Sequence, residues 1–243
     1  DGTFPNHPAD PIQPENLRDL QARVLDTGAD VGLAFDGDAD RVFLVDERAR
    51  PVSGSTTTAL VARRVLQREP RATVLYNLIC SRAVPEVIAE NGGRAIRTRV
   101  GHSIIKQAMA EEGAAFAGEH SGHYYFRDNY RADSGLIAAL LVLEALSESD
   151  GPMSGLLAPY ERYAASGERN TAVVDPEAVI ARVAAHYADW PQDRLDGLTV
   201  DLGDWWFNLR PSNTEPLLRL NVEAADEATC QVRVAEVQAV VGQ

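Results

Sequence analysis

At 243 residues the chain is long enough for one to two domains of the usual ~150 residues, and its 45% hydrophobic against 24% charged residues is a globular balance that excludes a disordered tail. Thirty-six acidic against 23 basic residues leave a net charge of −13, which excludes a chain-wide pull toward nucleic acid or anionic membrane, so an anionic ligand must be held by a local basic pocket. Cys80 and Cys230 are the only cysteines, no charged-then-apolar leader opens the sequence, and the longest apolar run, 136–146, contains Glu144; a reducing cytoplasm and no membrane span are expected.

Residues 1–16 carry Pro5, Pro8, Pro11 and Pro14 and read as an extended loop. Two short apolar runs, 31–35 and 42–45, have the length of buried strands and flank the acidic turn Asp36-Gly37-Asp38-Ala39-Asp40. From Gly54 the pattern alternates: helix to about 67, strand 73–78, helix 81–91 closed by Gly92-Gly93, strand 95–100, helix 103–112, a strand into Gly118, and a long apolar helix from about Asp133. Strands alternating with helices of this length point to an α/β layer with a largely parallel sheet. Residues 147–152, SESDGP, read as a linker. Beyond them, Asp175-Pro176 supplies an N-cap and a first-turn proline to a helix through about 189. Strands near 198–202, 205–209 and 217–222 and a helix from Asp226 complete a separate C-terminal α+β domain. The expected division is 1–50, 51–150 and 151–243.

Three loops concentrate chemistry. Asp36, Asp38 and Asp40 repel one another, by about 4 kcal/mol per pair at 4 Å and an effective dielectric of 20, unless they diverge into water or converge on a cation. Their hard oxygens favour Mg²⁺ or Ca²⁺, with a solvated acidic turn as the plain alternative. An EF-hand loop opens similarly and would find Glu47 at its twelfth position, but its sixth position needs Gly and holds Arg41. A haloacid-dehalogenase-type phosphatase also carries Asp-x-Asp after an apolar strand, usually with Thr where this chain has Asp40. Gly118-Glu119-His120-Ser121-Gly122-His123 places a carboxylate, a hydroxyl and two imidazoles between glycines, the mixed donors and acceptors that sugar hydroxyls need; a polar turn is the alternative. Arg210-Pro211-Ser212-Asn213-Thr214 offers a guanidinium, hydroxyls and an amide in a proline-stiffened loop, a cradle for phosphate or an ordinary Ser-Asn turn. His102, in Gly101-His102-Ser103, stands at a helix start, where a cap or packing residue is the commoner role.

In order the motifs run DGDADR, GHS, GEHSGHYYF and RPSNTEP, preceded by DGTFPNHPADP, and this set resembles the α-D-phosphohexomutase superfamily, in particular its phosphomannomutase/phosphoglucomutase branch. The resemblance implies an isomerase that moves a phosphoryl group between the C1 and C6 hydroxyls of mannose or glucose phosphate, through a phosphoserine and a sugar 1,6-bisphosphate. It implies that Asp36, Asp38 and Asp40 hold Mg²⁺ with Arg41 assisting, that Glu119, Ser121 and His123 meet sugar hydroxyls, and that Arg210, Ser212, Asn213 and Thr214 hold the non-reacting phosphate. It gives His102 a substrate contact or a proton shuttle. The family's nucleophile lies in a loop resembling TASHNP, and no such string occurs in the 243 residues. A lysine that some members place after the strand near Tyr76 is also missing. The chain therefore resembles the C-terminal half of such an enzyme, expected to be inactive without a phosphoserine-bearing N-terminal domain. The other open readings are a non-catalytic sugar-phosphate-binding fragment and the Mg²⁺-dependent phosphatase.

Overall fold

The computed structural model describes residues 2–212 and 216–242, and the chain forms two compact units, 1–161 and 162–243. The first begins with a 3₁₀ turn, Pro14–Leu17, and α1, Arg18–Thr27, which ends on Gly28 in the left-handed conformation. Sequence periodicity misses α1 because RDLQARVLDT is polar and buries only Val24. Strands β1 (Val31–Phe35), β2 (Val42–Asp46) and β3 (Pro51–Val52) form an antiparallel sheet in that order, and the acidic turn is the β1–β2 hairpin loop, with Phe35 opposite Val42.

An α/β/α layer follows. Helix α2 (Gly54–Arg68) starts on Ser53, whose hydroxyl accepts from the Thr56 amide; β4 (Thr73–Asn77), α3 (Ala83–Glu90), β5 (Arg94–Thr98), α4 (His102–Glu112) and β6 (Phe116–Gly118) alternate as the pattern predicts. The chain then returns through β7 (Tyr124–Phe126) and β8 (Ala132–Asp133) into α5 (Gly135–Ser147), capped by Ser134. The sheet order is β5-β4-β6-β7-β8; β4 pairs parallel with β5 and β6, whereas β6–β7 and β7–β8 are antiparallel. The sheet is thus mixed rather than largely parallel, because residues 119–123 make a hairpin turn instead of a crossover. Alternation along the strands divides the core. Val74, Phe116 and Tyr124 face Leu60, Ile88 and Val142, while Leu75, Ala117 and Tyr125 face Ile105 and Met109 of α4. Each fully buried side chain of this size contributes roughly 1.5–3 kcal/mol. The SESDGP segment leads into α6 (Met153–Leu157) and a 3₁₀ turn to Tyr160, and Met153, Leu157 and Tyr160 join the first core.

The second unit is α+β. Its strands β9 (Ala164–Ala165), β10 (Arg169–Ala172), β11 (Gln192–Asp193), β12 (Leu198–Asp201), β13 (Trp206–Pro211) and β14 (Leu217–Ala224) form one antiparallel sheet, ordered β10-β14-β13-β12-β11 with β9 beside β14. Helices α7 (Pro176–His186) and α8 (Glu227–Val241), capped by Asp175 and Asp226, cover one face around Val183, Phe207, Leu220 and Val237. Among the described residues no helix is long and apolar enough to cross a membrane.

Candidate functional site

In the first unit the acidic hairpin and the 119–123 turn meet, and backbone holds them together. Arg41 and His123 form an isolated antiparallel bridge, the Val42 amide donates to the Gly122 carbonyl (3.2 Å), and the Gly135 amide at the start of α5 donates to Ala39 O (3.1 Å). Gly122 sits at φ +87°, and a Cβ there would stand 2.5 Å from the Phe43 ring, so the turn and the close approach both require glycine. Asn77, at the carboxyl end of β4, and Gly118-Glu119, at the carboxyl end of β6, bring this cluster to the sheet edge where α/β folds bind ligands.

One carboxylate oxygen from each of Asp36, Asp38 and Asp40 lies within 4.8 Å of the other two. Arg41 Nε donates to Asp36 Oδ2 (2.8 Å) and its Nη1 to Asp10 Oδ1 (3.0 Å). Burial raises the Asp36 carboxyl, but the hydrogen bonds from Arg41 outweigh it and the net shift is downward. Asp40 lies farther from that guanidinium, its Oδ1 3.9 Å from Arg41 Nε. Its pKa is pushed up to about 6, first by burial and then by the hydrogen bond and charge of Asp36, and its Oδ1 is buried without a hydrogen bond among the described residues. Three clustered carboxylates, with one buried oxygen lacking a hydrogen bond, fit a hard divalent cation. The EF-hand alternative is not formed: the residues after Arg41 are strand β2, and Glu47 accepts from the Ser154 amide (2.9 Å).

Glu119 is 2% exposed. It accepts from Tyr125 Oη (2.8 Å) and from Asn77 Nδ2 (3.1 Å), yet burial exceeds these bonds and raises its pKa. His123 Nδ1 lies 3.0 Å from Ser121 Oγ, and its Nε2 lies 3.7 Å from Asp40 Oδ1. Burial, then the neighbouring His102, lowers the His123 pKa to about 4, leaving it neutral at physiological pH. The His102 ring meets it edge-on, centroids 4.2 Å apart, with Nδ1 3.1 Å from Asp133 Oδ2. Lys106, the only lysine, pairs with the other Asp133 oxygen at 3.2 Å and lies over the Tyr125 ring. The structure therefore brings together Asp36, Asp38, Asp40, Arg41, His102, Glu119, Ser121 and His123.

Arg210 and Ser212 belong to the second unit, and Asn213 and Thr214 fall outside the described residues. The Arg210 side chain is 8% exposed; its Nη2 donates to Glu168 Oε2 (3.1 Å), and burial lowers its pKa despite that carboxylate. Arg219 Nη2 donates to Ser212 Oγ (3.3 Å). Asp10, Asn77, Tyr125, Asp133, Glu168 and Arg219 escape sequence reasoning as site residues. Lys106 had one signal, its uniqueness, and Tyr125 another, its place directly after the GEHSGH loop.

Family sequence models match the chain nearly end to end: phosphoglucomutase/phosphomannomutase alpha/beta/alpha domain II over residues 1–50, domain III over 53–163, and the C-terminal domain over 168–240. A phosphomannomutase of Methanocaldococcus jannaschii is 42% identical over 238 residues, 98% of this chain and 53% of that protein. A phosphoglucomutase/phosphomannomutase family protein from Burkholderia thailandensis superposes with a TM-score of 0.89 at 33% identity, covering 99% of this chain and 52% of that one. The N-acetylphosphoglucosamine mutase of Aspergillus fumigatus, solved with GlcNAc-6P and magnesium, shares the fold at 16% identity, with a TM-score of 0.66 over 86% of this chain and 48% of that one. The chain spans about half the length of the curated relatives it matches. With the sequence matches continuous across both units and the four motifs in order on the matching fold, the chain belongs to the phosphoglucomutase/phosphomannomutase family of the α-D-phosphohexomutase superfamily.

Proposed function

We propose that these residues serve a phosphohexomutase, one that moves a phosphoryl group between C1 and C6 of mannose or glucose phosphate by way of a phosphoserine and the 1,6-bisphosphate. The observation that carries this reading is the backbone stitching of the acidic hairpin to the Glu119–His123 turn, which holds cation ligands and hydroxyl readers at one spacing. Asp36, Asp38 and Asp40 would hold Mg²⁺, which when bound would neutralise charge on the phosphoryl group in transfer. Arg41, fixed by Asp36 and Asp10, adds a second positive charge beside it. Glu119 and Ser121 read sugar hydroxyls. Glu119 does so with its orientation set by Tyr125 and Asn77.

His123 stands close to those hydroxyls, and His102, held at Asp133 (Nδ1 to Oδ2, 3.1 Å), contacts the sugar or passes the proton of the attacking hydroxyl to the serine oxygen that leaves. Arg210, Ser212, Asn213 and Thr214 clamp the phosphate that does not react. A division into a metal-binding segment 1–50, a sugar-binding segment from 51 and a phosphate-binding C-terminal segment is part of the proposal, supported by family-model matches over 1–50, 53–163 and 168–240; these, and the packing of Met153, Leu157 and Tyr160 in the first core, favour a second boundary beyond 161 over the expected 150. A cytoplasmic location fits the two buried, unbridged thiols of Cys80 and Cys230.

The serine nucleophile is not among these 243 residues. Phosphorus NMR tests the reading. The chain with Mg²⁺ and mannose 1-phosphate is expected to bind without turnover; joined to a phosphoserine-bearing segment, with a trace of 1,6-bisphosphate, it is expected to give the 6-phosphate. Release of inorganic phosphate without isomerisation would replace the mutase by a phosphatase.

A further inference from the structure

Beside the acidic hairpin a second set of metal-ligating side chains converges: His102 at the start of α4, His123 at the end of the 119–123 turn, and Asp133 at the end of β8. One ligand atom from each lies within 4.8 Å of the other two. The sheet gathers them, since Asp133 on β8 pairs with Tyr125, two residues past His123. The chemistry of this set differs from that of the hairpin. Three carboxylates suit a hard ion held by oxygen, whereas two imidazoles and one carboxylate suit zinc and its neighbours among the transition metals. The shortest contact within the set is not a hydrogen bond. His102 Nδ1 stands 3.1 Å from Asp133 Oδ2, yet that oxygen is buried and finds no hydrogen bond among the described residues. Two ligands of one tetrahedral zinc, on bonds of about 2.0–2.1 Å, stand about 3.3 Å apart. The imidazole and the carboxylate therefore already have the separation that a shared ion requires, without the alignment that a shared proton requires.

Each fixed member of the set has an outer support of the kind that ligating side chains need. The Asp133 side chain is 8% exposed, and Lys106 Nζ holds its Oδ1 at 3.2 Å, which leaves Oδ2 for the ion. Ser121 Oγ, 3.0 Å from His123 Nδ1, orients the second ring. His102, 48% exposed, is the ligand free to adjust. Charge also permits a cation here: Glu119 Oε2 and Asp40 Oδ1 flank His123 at 3.6 and 3.7 Å, against the positive charges of Lys106 and Arg41. We infer that His102, His123 and Asp133 form a second metal site, separate from the acidic hairpin and suited to a zinc-type divalent ion. Lys106 and Ser121 are its outer supports, and the remaining coordination position is open to water. The site does not depend on the mutase reading, because the same three side chains would take the ion whether or not a sugar meets either imidazole.

Zn²⁺, titrated into the whole chain with Mg²⁺ in excess to supply the acidic hairpin, is the probe, followed by ¹⁵N NMR of the imidazole rings. In the unaltered chain the ring nitrogens of His102 and His123 are expected to shift together, with those of His7 and His186 unmoved. H102Q and D133N are each expected to weaken Zn²⁺ by about tenfold or more, the loss of one of three ligands. D38N, which alters the hairpin alone, is expected to leave Zn²⁺ affinity within about twofold. Retained affinity in either H102Q or D133N overturns the three-ligand site, as does a titration in which the two ring signals do not move together. Zinc weakened in D38N as much as in H102Q places the ion on the hairpin and overturns the separate site. Thermal melts establish that each variant folds. If D133N, altered at a buried position, does not, H102Q at its half-exposed position decides together with the ring signals of the unaltered chain.

Discussion

The acidic hairpin of the first unit and the arginine pair of the second are opposite in sign and alike in construction. Around Asp36, Asp38 and Asp40 the guanidinium is that of Arg41, and among the described residues Asp40 Oδ1 finds no hydrogen bond. Around Arg210 and Arg219 the shared carboxylate is Glu168, with Asp196 also favouring the charged Arg210, and among the described residues the two Nε–H groups find no acceptor. In each place the fold gathers like charges, and the proposed ligands answer their sign: a cation at the carboxylates, a phosphate at the arginines. The means of support differ. The hairpin is a loop and keeps its shape through bonds to neighbouring turns, whereas the arginines sit on two paired strands whose register alone sets them opposite. A loop site is therefore sensitive to its surroundings, and a strand site to the ladder beneath it.

The largest effect is expected from Asp40→Asn. Replacing the orphaned carboxylate with a neutral amide should weaken Mn²⁺ or Mg²⁺ by about a hundredfold, ~2.7 kcal/mol, read by Mn²⁺ water relaxation, with phosphate binding at the second unit unmoved. Retained metal affinity would break the comparison at its first term.

Next comes Gly122→Ala. A left-handed conformation and the Phe43 contact together should cost about 2–4 kcal/mol in urea denaturation, with metal binding falling alongside. In the second unit Gly203 has a similar φ, +81°, and open space where a Cβ would go. Its alanine variant should cost only ~1 kcal/mol.

The smallest effect is a pH dependence, and its sign follows from the two shifted groups. Asp40, raised from 3.8 to about 6, contributes stability that is complete below pH 3.8 and lost as pH rises through 6. His123, lowered from 6.5 to about 4, contributes stability that is complete above pH 6.5 and lost as pH falls toward 4. Without metal the two nearly cancel between pH 4 and 6. With Mg²⁺ bound, Asp40 stays ionised and its loss is reversed, so the melting temperature gained from Mg²⁺ should grow from pH 4 to 7. A gain independent of pH over that range would remove Asp40 from the ligand set.

Much of this was legible in the sequence wherever local chemistry marks an element. Asp175-Pro176 opens α7 where a cap and first-turn proline predict, and the acidic turn joins two strands because its flanking apolar runs are too short for helices. The loops were legible for the same reason, since glycines and clustered polar residues stand out. What stayed hidden sits on regular elements. Arg219 alternates with apolar residues like any exposed strand position, and only the pairing of β13 with β14 reveals that it faces Arg210. Asn77 ends an ordinary buried strand, and its hold on Glu119 spans forty-two positions of sequence. Helix α1 lacked the apolar stripe that periodicity reads.

The bridge between Arg41 and His123 carries one last implication. Because main-chain atoms join the two turns, the carboxylate hairpin and the Glu119–His123 turn travel as a single jaw within the first unit. In the proposed mutase, a hexose presenting first one end and then the other to the same reacting group would meet a jaw of fixed gape. The tumbling is left to the sugar.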